Sequence, residues 1–205
     1  LGDKKRCATI INHILKQNTD KSSSFELEFR TINEEMANLL SQLPNFDFLA
    51  AVQTTNPDAL AEIGKTGSTP EQYEKTWNRL RNWLPPDKLN LKIDTMLGLP
   101  GDSLQGYINT LDWCLRMEPS YIALGYPVYL LPGTKWFKEK DKLRLTYKNG
   151  RIVETPTFPK ADMEAALRLG LWVQVLLSQY PAIGKTLLQC GRKDGSYIER
   201  VRAWI

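Results

Sequence analysis

The sequence is poor in metal ligands. It holds three cysteines, Cys7, Cys114 and Cys190, and a single histidine, His13. No two cysteines stand in C-x-x-C or C-x-x-x-C spacing, which excludes a local metal knuckle. So few thiols, and an odd number of them, suit a reducing cytosol better than a disulfide-stapled secreted scaffold, so a cytoplasmic location is the expectation. No apolar run approaches the ~20 residues that a membrane span needs, and the start is not signal-like, so no membrane partner is expected. Charge of one sign is also scarce. The balance of 27 Lys and Arg against 23 Asp and Glu leaves +4, a weak bias toward anionic partners that says nothing about fold. The chain opens Leu1-Gly2-Asp3 without a methionine and is read as a piece of something longer.

What is present is an ordinary globular composition: 205 residues, 42% hydrophobic and 10% aromatic. That is enough for one good core, or for one domain with an appendage. Residues 1–16 read as a helix with Cys7, Ile10, Ile11, Ile14 and Leu15 on one face. A polar stretch, 18–24, separates it from the alternating run Phe25-Glu26-Leu27-Glu28-Phe29-Arg30, a strand. Asn33-Glu34-Glu35 opens a helix that stops before Pro44. The continuous apolar run Phe48–Val52 fits a strand buried on both sides. Helices are expected from Asn56-Pro57-Asp58 to Ile63 and from Thr69-Pro70-Glu71 to Trp83, and strands over 89–97 and 121–129. Between those strands, Ser103 caps a helix.

Four units of strand, turn and helix argue for parallel strands with crossover helices, hence an α/β barrel or open sheet. After Thr134 the grammar changes. Leu143–Tyr147 and Arg151–Glu154 alternate around Asn149-Gly150, a strong hairpin signal, and a long helix follows over about 161–179. This tail is read as an appendage packed on the barrel.

In parallel α/β folds ligands sit where loops converge at the carboxyl ends of strands. The polar and glycine-rich elements cluster there. Glu28 and Arg30 close the first strand and Gln53-Thr54-Thr55-Asn56 the second. Asp94 and Gly98-Leu99-Pro100-Gly101-Asp102 close the third, and Tyr126-Pro127 the fourth. Each has a plainer reading. Glu26 and Glu28 also fit a solvated strand face, and the glycine run also fits a ligand-free turn.

In order, the blocks Val52-Gln53-Thr54-Thr55-Asn56-Pro57-Asp58-Ala59-Leu60, Ile93-Asp94-Thr95-Met96-Leu97-Gly98-Leu99-Pro100-Gly101-Asp102 and Leu131-Pro132-Gly133-Thr134 resemble radical S-adenosylmethionine (SAM) enzymes. The likeness is greatest to the subgroup with an upstream cobalamin-binding domain, which includes some anaerobic oxidative cyclases of tetrapyrrole biosynthesis. It covers about Leu1 to Thr157. It implies a partial TIM-type barrel, strands three to six of a (β/α)6 barrel, over residues 1–134, with a hairpin and helical extension over 135–205. It also implies that the parent enzyme cleaves SAM reductively at a [4Fe–4S] cluster for radical C–H chemistry, with cobalamin as a further cofactor. A reductant such as flavodoxin or ferredoxin and a small-molecule substrate would be its partners.

Roles follow by position. Glu28 would take the SAM ammonium, while Gln53 and Asp94 would face the ribose. Backbone from Tyr126 to Val128 would meet adenine, and the turn Gly98, Leu99, Pro100, Gly101 would pass beneath the nucleoside. Arg30 and Thr54 complete the expected cofactor-binding set, with Lys65 where relatives place an arginine for the SAM carboxylate. The sequence departs from the family in lacking C-x-x-x-C-x-x-C, whose three thiolates hold the cluster. No catalytic or metal-ligating residue is therefore expected within this chain, and the chain alone should be inactive.

Another class of reading is a non-catalytic scaffold built on half a barrel. An ordinary TIM-barrel hydrolase or aldolase lacks a base–nucleophile pair. Gly64-Lys65-Thr66 and Gly184-Lys185-Thr186 lack the upstream glycine of a phosphate loop, where Ala59 and Gln179 stand instead. The basic stretch Lys135, Lys138, Lys140, Lys142, Arg144, Lys148 and Arg151 is read as a solvated hairpin face, and nucleic acid is not expected as a partner. His13 is expected at the surface or core edge. Cys114 and Cys190 are expected to be buried thiols.

Overall fold

The structure, a computed structural model, describes residues 4–17, 29, 32–44, 46–195 and 197–204. The expected strand at 25–30, with Glu28 and Arg30, and the polar stretch before it lie outside the described residues, Phe29 excepted. The architecture is α/β. Strands β1 (Phe48–Gln53), β2 (Leu91–Leu97) and β3 (Tyr121–Pro127) form a parallel sheet in the order β1-β2-β3. Helices α3 (Pro57–Glu62) and α4 (Pro70–Trp83) connect the first pair, and α5 (Leu104–Arg116) the second. Parallel neighbours require crossovers of this length, and helices supply them. Among the described residues no helix is long and apolar enough to cross a membrane.

By contacts the chain divides into two compact units, Leu1–Ala51 with Thr69–Lys92, and Val52–Ser68 with Ile93–Ile205. In the first, α1 (Lys4–Lys16) and α2 (Glu34–Leu40) pack together, and α2 also meets α4. Asn33 caps α2, its side chain accepting the Met36 N–H at 3.0 Å. Cys7 and Ile11 of α1 are buried, and His13 is exposed. Tyr73 and Trp77 of α4 bring an aromatic core, with Tyr73 stacked on Phe29 and Trp77 edge-on to Phe48.

In the second unit α7 (Lys160–Ser178) lies on β3 and against α5, with α8 (Pro181–Asp194) and α9 (Tyr197–Trp204) beside them. Its buried residues Met163, Ala166, Leu169, Gly170, Val173, Leu176 and Leu177 follow the helical period of three to four that one apolar face requires. After β3 come a short helix, α6 (Lys135–Glu139), and a hairpin of β4 (Thr146–Lys148) and β5 (Arg151–Glu154). The expected hairpin turn is present. Lys148 pairs with Arg151 around Asn149 and Gly150, both at positive φ, 51° and 77°, which is the type I′ geometry that matches strand twist.

One strand differs from expectation. Phe48, Ala50 and Val52 are buried, but Leu49, Ala51 and Gln53 are only half-buried. A half-covered face still selects apolar residues, so the alternation in burial is not written as alternation in polarity. In β2 the same alternation leaves Lys92, Asp94 and Met96 half-buried.

Candidate functional site

Strand β1 ends in a strained turn. The Thr54 N–H bonds to the Val52 carbonyl at 2.9 Å across Gln53, whose φ is 68°. A three-residue turn closed at positive φ is the rare, strained form of the γ-turn. For a residue with a side chain it persists only where the surroundings enforce it. Those surroundings begin with the next residue. Thr54 is buried, and its hydroxyl donates to Asp102 Oδ2 at 3.1 Å and accepts the Asn56 N–H at 3.0 Å. The Thr54 hydroxyl is therefore committed inside the protein.

Asp102 is the hub. Its Oδ1 accepts from Ser103 N at 2.8 Å and Asn56 Nδ2 at 3.0 Å, and its carbonyl accepts the Thr157 hydroxyl at 2.6 Å. Burial raises the carboxyl above its ordinary range, and the Ser103, Asn56 and Thr54 bonds offset part of that. Thr110, one helical turn beyond Gly106 on α5, accepts from the Thr55 N–H at 3.0 Å. The Asp102 carboxylate lies against Gly106, where a Cβ would stand 2.2 Å from Oδ1, so only glycine admits it. Together these bonds tie the loop after β1, the turn after β2, the start of α5 and the exit of β5.

Leu99-Pro100-Gly101-Asp102 is a type II turn. The Asp102 N–H reaches the Leu99 carbonyl at 3.0 Å, proline sets the second position, and Gly101 has φ 83°. Leu99 and Pro100 are buried. The face of Gly98 is met from α7: a Cβ there would lie 3.1 Å from Met163 Cε.

Of the residues expected to bind a cofactor, Gln53 and Asp94 both lie half-buried. Gln53 is the last residue of β1, whereas Asp94, expected to close its strand, is the middle residue of β2, three short of its end. Val128 is buried, and its carbonyl already accepts the Ile152 N–H at 2.9 Å. Tyr126 belongs to β3. Lys65 sits at the far end of six-residue α3, with its N–H on the Leu60 carbonyl at 2.8 Å and the Gly64 N–H on Ala61 at 3.1 Å. This paired closure, with Gly64 left-handed at φ 72°, is a Schellman cap. Gly64-Lys65-Thr66 is therefore a helix end and Gly184-Lys185-Thr186 a stretch inside α8; neither is a phosphate loop.

Two cavities flank these elements in separate units. One of about 320 Å³ is lined by Asp58, Ala61, Pro100, Gly101, Leu143 and Thr157, among others. Another of about 530 Å³ opens before the first residues of β1 and β2, at Phe46, Asp47, Leu89 and Asn90. Asp102, Asn56, Thr110 and Thr157 were not singled out from sequence as functional side chains. The one signal for Asp102 was its place in the glycine block, directly before a serine cap.

Among the described residues no group of three His, Cys, Asp or Glu side chains could hold a metal ion. Cys7 and Cys114 are buried and Cys190 half-buried, and burial pushes the Cys114 thiol up. These residues do not fit an iron–sulfur cluster. Compared with known proteins, the chain matches no family model and no curated protein.

Proposed function

We propose that the chain is the carboxyl-terminal part of a radical SAM barrel, and that its contribution is to bind and orient the SAM nucleoside. The strained turn at Gln53 is the observation that carries this reading. Backbone held at positive φ in a residue with a side chain clusters at ligand sites, and here it falls at the carboxyl end of a parallel strand, where such folds bind ligands. Among the described residues the Gln53 side chain has no hydrogen-bond partner. An amide and the carboxylate of Asp94 suit vicinal hydroxyls, which donate and accept together. The Asp102 network would hold the two strand-end loops in fixed geometry, as a preorganised site needs.

The cluster would be supplied by cysteines preceding Leu1, and with SAM it would provide the electron chemistry. Cobalamin and an external reductant belong to the same proposal, as does a cytoplasmic location. The test is made on the protein with its upstream residues, purified without oxygen. About four irons per chain, and a resonance spectrum of the reduced protein that SAM perturbs, are the expected results. Gln53→Ala and Asp94→Ala should each weaken SAM binding. An iron-free protein indifferent to SAM would overturn the proposal in favour of a non-catalytic scaffold.

A further inference from the structure

The chain's charge is concentrated. Between Tyr129 and Arg151 there are seven lysines and arginines and two carboxylates, Glu139 and Asp141. That segment carries +5 against +4 for the whole chain, so everything else together is slightly acidic. Lys135 reaches Glu62 and Lys140 reaches Asp141. Lys138, Lys142, Arg144, Lys148 and Arg151 form no ion pair with a described residue.

The same segment holds three exposed apolar side chains: Tyr129 at 53%, Leu131 at 59% and Tyr147 at 45% exposure. Tyr129 and Leu131 alternate with buried Val128 and Leu130, as residues on one face of an extended segment do. Pairing fixes what surrounds Tyr129. It lies opposite Arg151 in an antiparallel bridge, and Arg151 lies opposite Lys148 on its other side. The flanking bonds, Ile152 N–H to Val128 and Leu130 N–H to Gly150, make Tyr129 and Arg151 a non-hydrogen-bonded pair, the kind with side chains closest. A phenol, a guanidinium and an ammonium therefore stand side by side on one face, spanning about 10 Å. The Tyr129 ring rests over the turn, 3.8 Å from where a Gly150 Cβ would be.

We propose that this strip, from Tyr129 through the hairpin to Arg151, binds single-stranded nucleic acid. Aromatic rings interleaved with unpaired cations are what an unpaired strand needs: bases stack on the rings while phosphates follow the charges. The faces decide against a flat anionic bilayer. Tyr147 pairs with Ile152, so it occupies the cross-strand row next to that of Tyr129 and projects from the other face of the ribbon. Ile152 on that face is buried, so Tyr147 shows only at the ribbon's edge. A flat bilayer laid on the outer row misses it, whereas a flexible strand turns over the edge to reach it. The proposal does not depend on the cofactor reading.

The test is fluorescence anisotropy of the 205-residue chain with a labelled oligouridylate of about 20 nucleotides. Affinity should fall as salt rises from about 50 to 200 mM. Replacing both Lys148 and Arg151 by alanine should weaken binding about tenfold and flatten the salt slope by about 1.4, the counterion release of two phosphate contacts. Tyr129→Ala should weaken it about tenfold with the slope unchanged, and Tyr129→Phe should restore it. These side chains lie at the surface, and an unchanged circular dichroism spectrum verifies folding. Three results would each overturn the proposal: no binding, binding that the charge variants leave unaltered, or anionic phospholipid vesicles displacing the oligonucleotide.

Discussion

Two turns of nearly the same sequence make the most instructive pair in the molecule. Leu99-Pro100-Gly101-Asp102 and Leu131-Pro132-Gly133-Thr134 each close with a hydrogen bond from the fourth N–H to the leucine carbonyl, at 3.0 and 3.2 Å. Gly101 and Gly133 have nearly equal φ, 83° and 88°, and each turn leads into a helix, α5 or α6. There the likeness ends. Leu99 is fully buried, and Leu131 is among the most exposed apolar residues described. A Cβ on Gly101 would lie 3.2 Å from the Asp58 backbone, whereas one on Gly133 would meet nothing. Asp102 gathers four bonds. The Thr134 hydroxyl makes two, donating to Leu131 and accepting from Phe137 at 3.4 Å as the α6 cap. Proline and glycine dictate the turn, but residues distant in sequence dictate whether it is core or surface.

Stability measurements by denaturant unfolding can break that contrast. Leu99→Ala should cost about 3 kcal/mol, as for a buried leucine, and Leu131→Ala within about 0.5 kcal/mol of nothing. Asp102→Ala would remove the acceptor of the buried Thr54 hydroxyl and of the part-buried Ser103 N–H, and one of the two acceptors of the Asn56 amide, for a loss of roughly 2–3 kcal/mol. Thr134→Ala removes an exposed, long cap bond and should cost about 0.5 kcal/mol. Gly101→Ala adds a backbone collision to left-handed strain and should lose about 2 kcal/mol, against about 1 for Gly133→Ala. Equal losses within any pair would show that turn geometry, not environment, sets the energy.

The smallest effect is one of pH. Burial holds the Asp102 carboxyl above its ordinary range, so the folded protein binds that proton more tightly than the unfolded chain. Its stabilising contribution is complete below the unfolded value, about 3.9, and is lost as pH rises from there through the raised folded value. Asp102→Asn keeps an oxygen for Ser103 and Asn56 and removes the titration. Relative to the Asp102→Asn protein, the wild type should gain stability as pH falls. Parallel profiles would refute a raised carboxyl.

Local chemistry was legible in the sequence. Asn33, Asn56 and Ser103 read as helix starts and are caps, whereas Thr134 caps α6, a helix the sequence did not announce. Asn149-Gly150 makes its hairpin because those residues tolerate positive φ. The order of strand, turn and helix also follows from apolar periodicity. What escaped was set at a distance. Thr54 looked like a ligand-facing hydroxyl, yet its partner Asp102 stands 48 residues on. The half-covered face of β1 escaped because Leu49 and Ala51 are as apolar as their buried neighbours.

The Asp102 network also bears on how the chain reaches its fold. Its bonds join residues 46, 48 and 55 positions apart, so each needs long loops to close first, an entropy debt that slows folding. The network should therefore assemble late, after the local caps and the hairpin. Its amides should exchange hydrogen only through large, cooperative openings. Ser103, Asn56 and Thr55 N–H groups should be among the slowest to exchange in their unit, outlasting those of α6, and so act as reporters of complete folding.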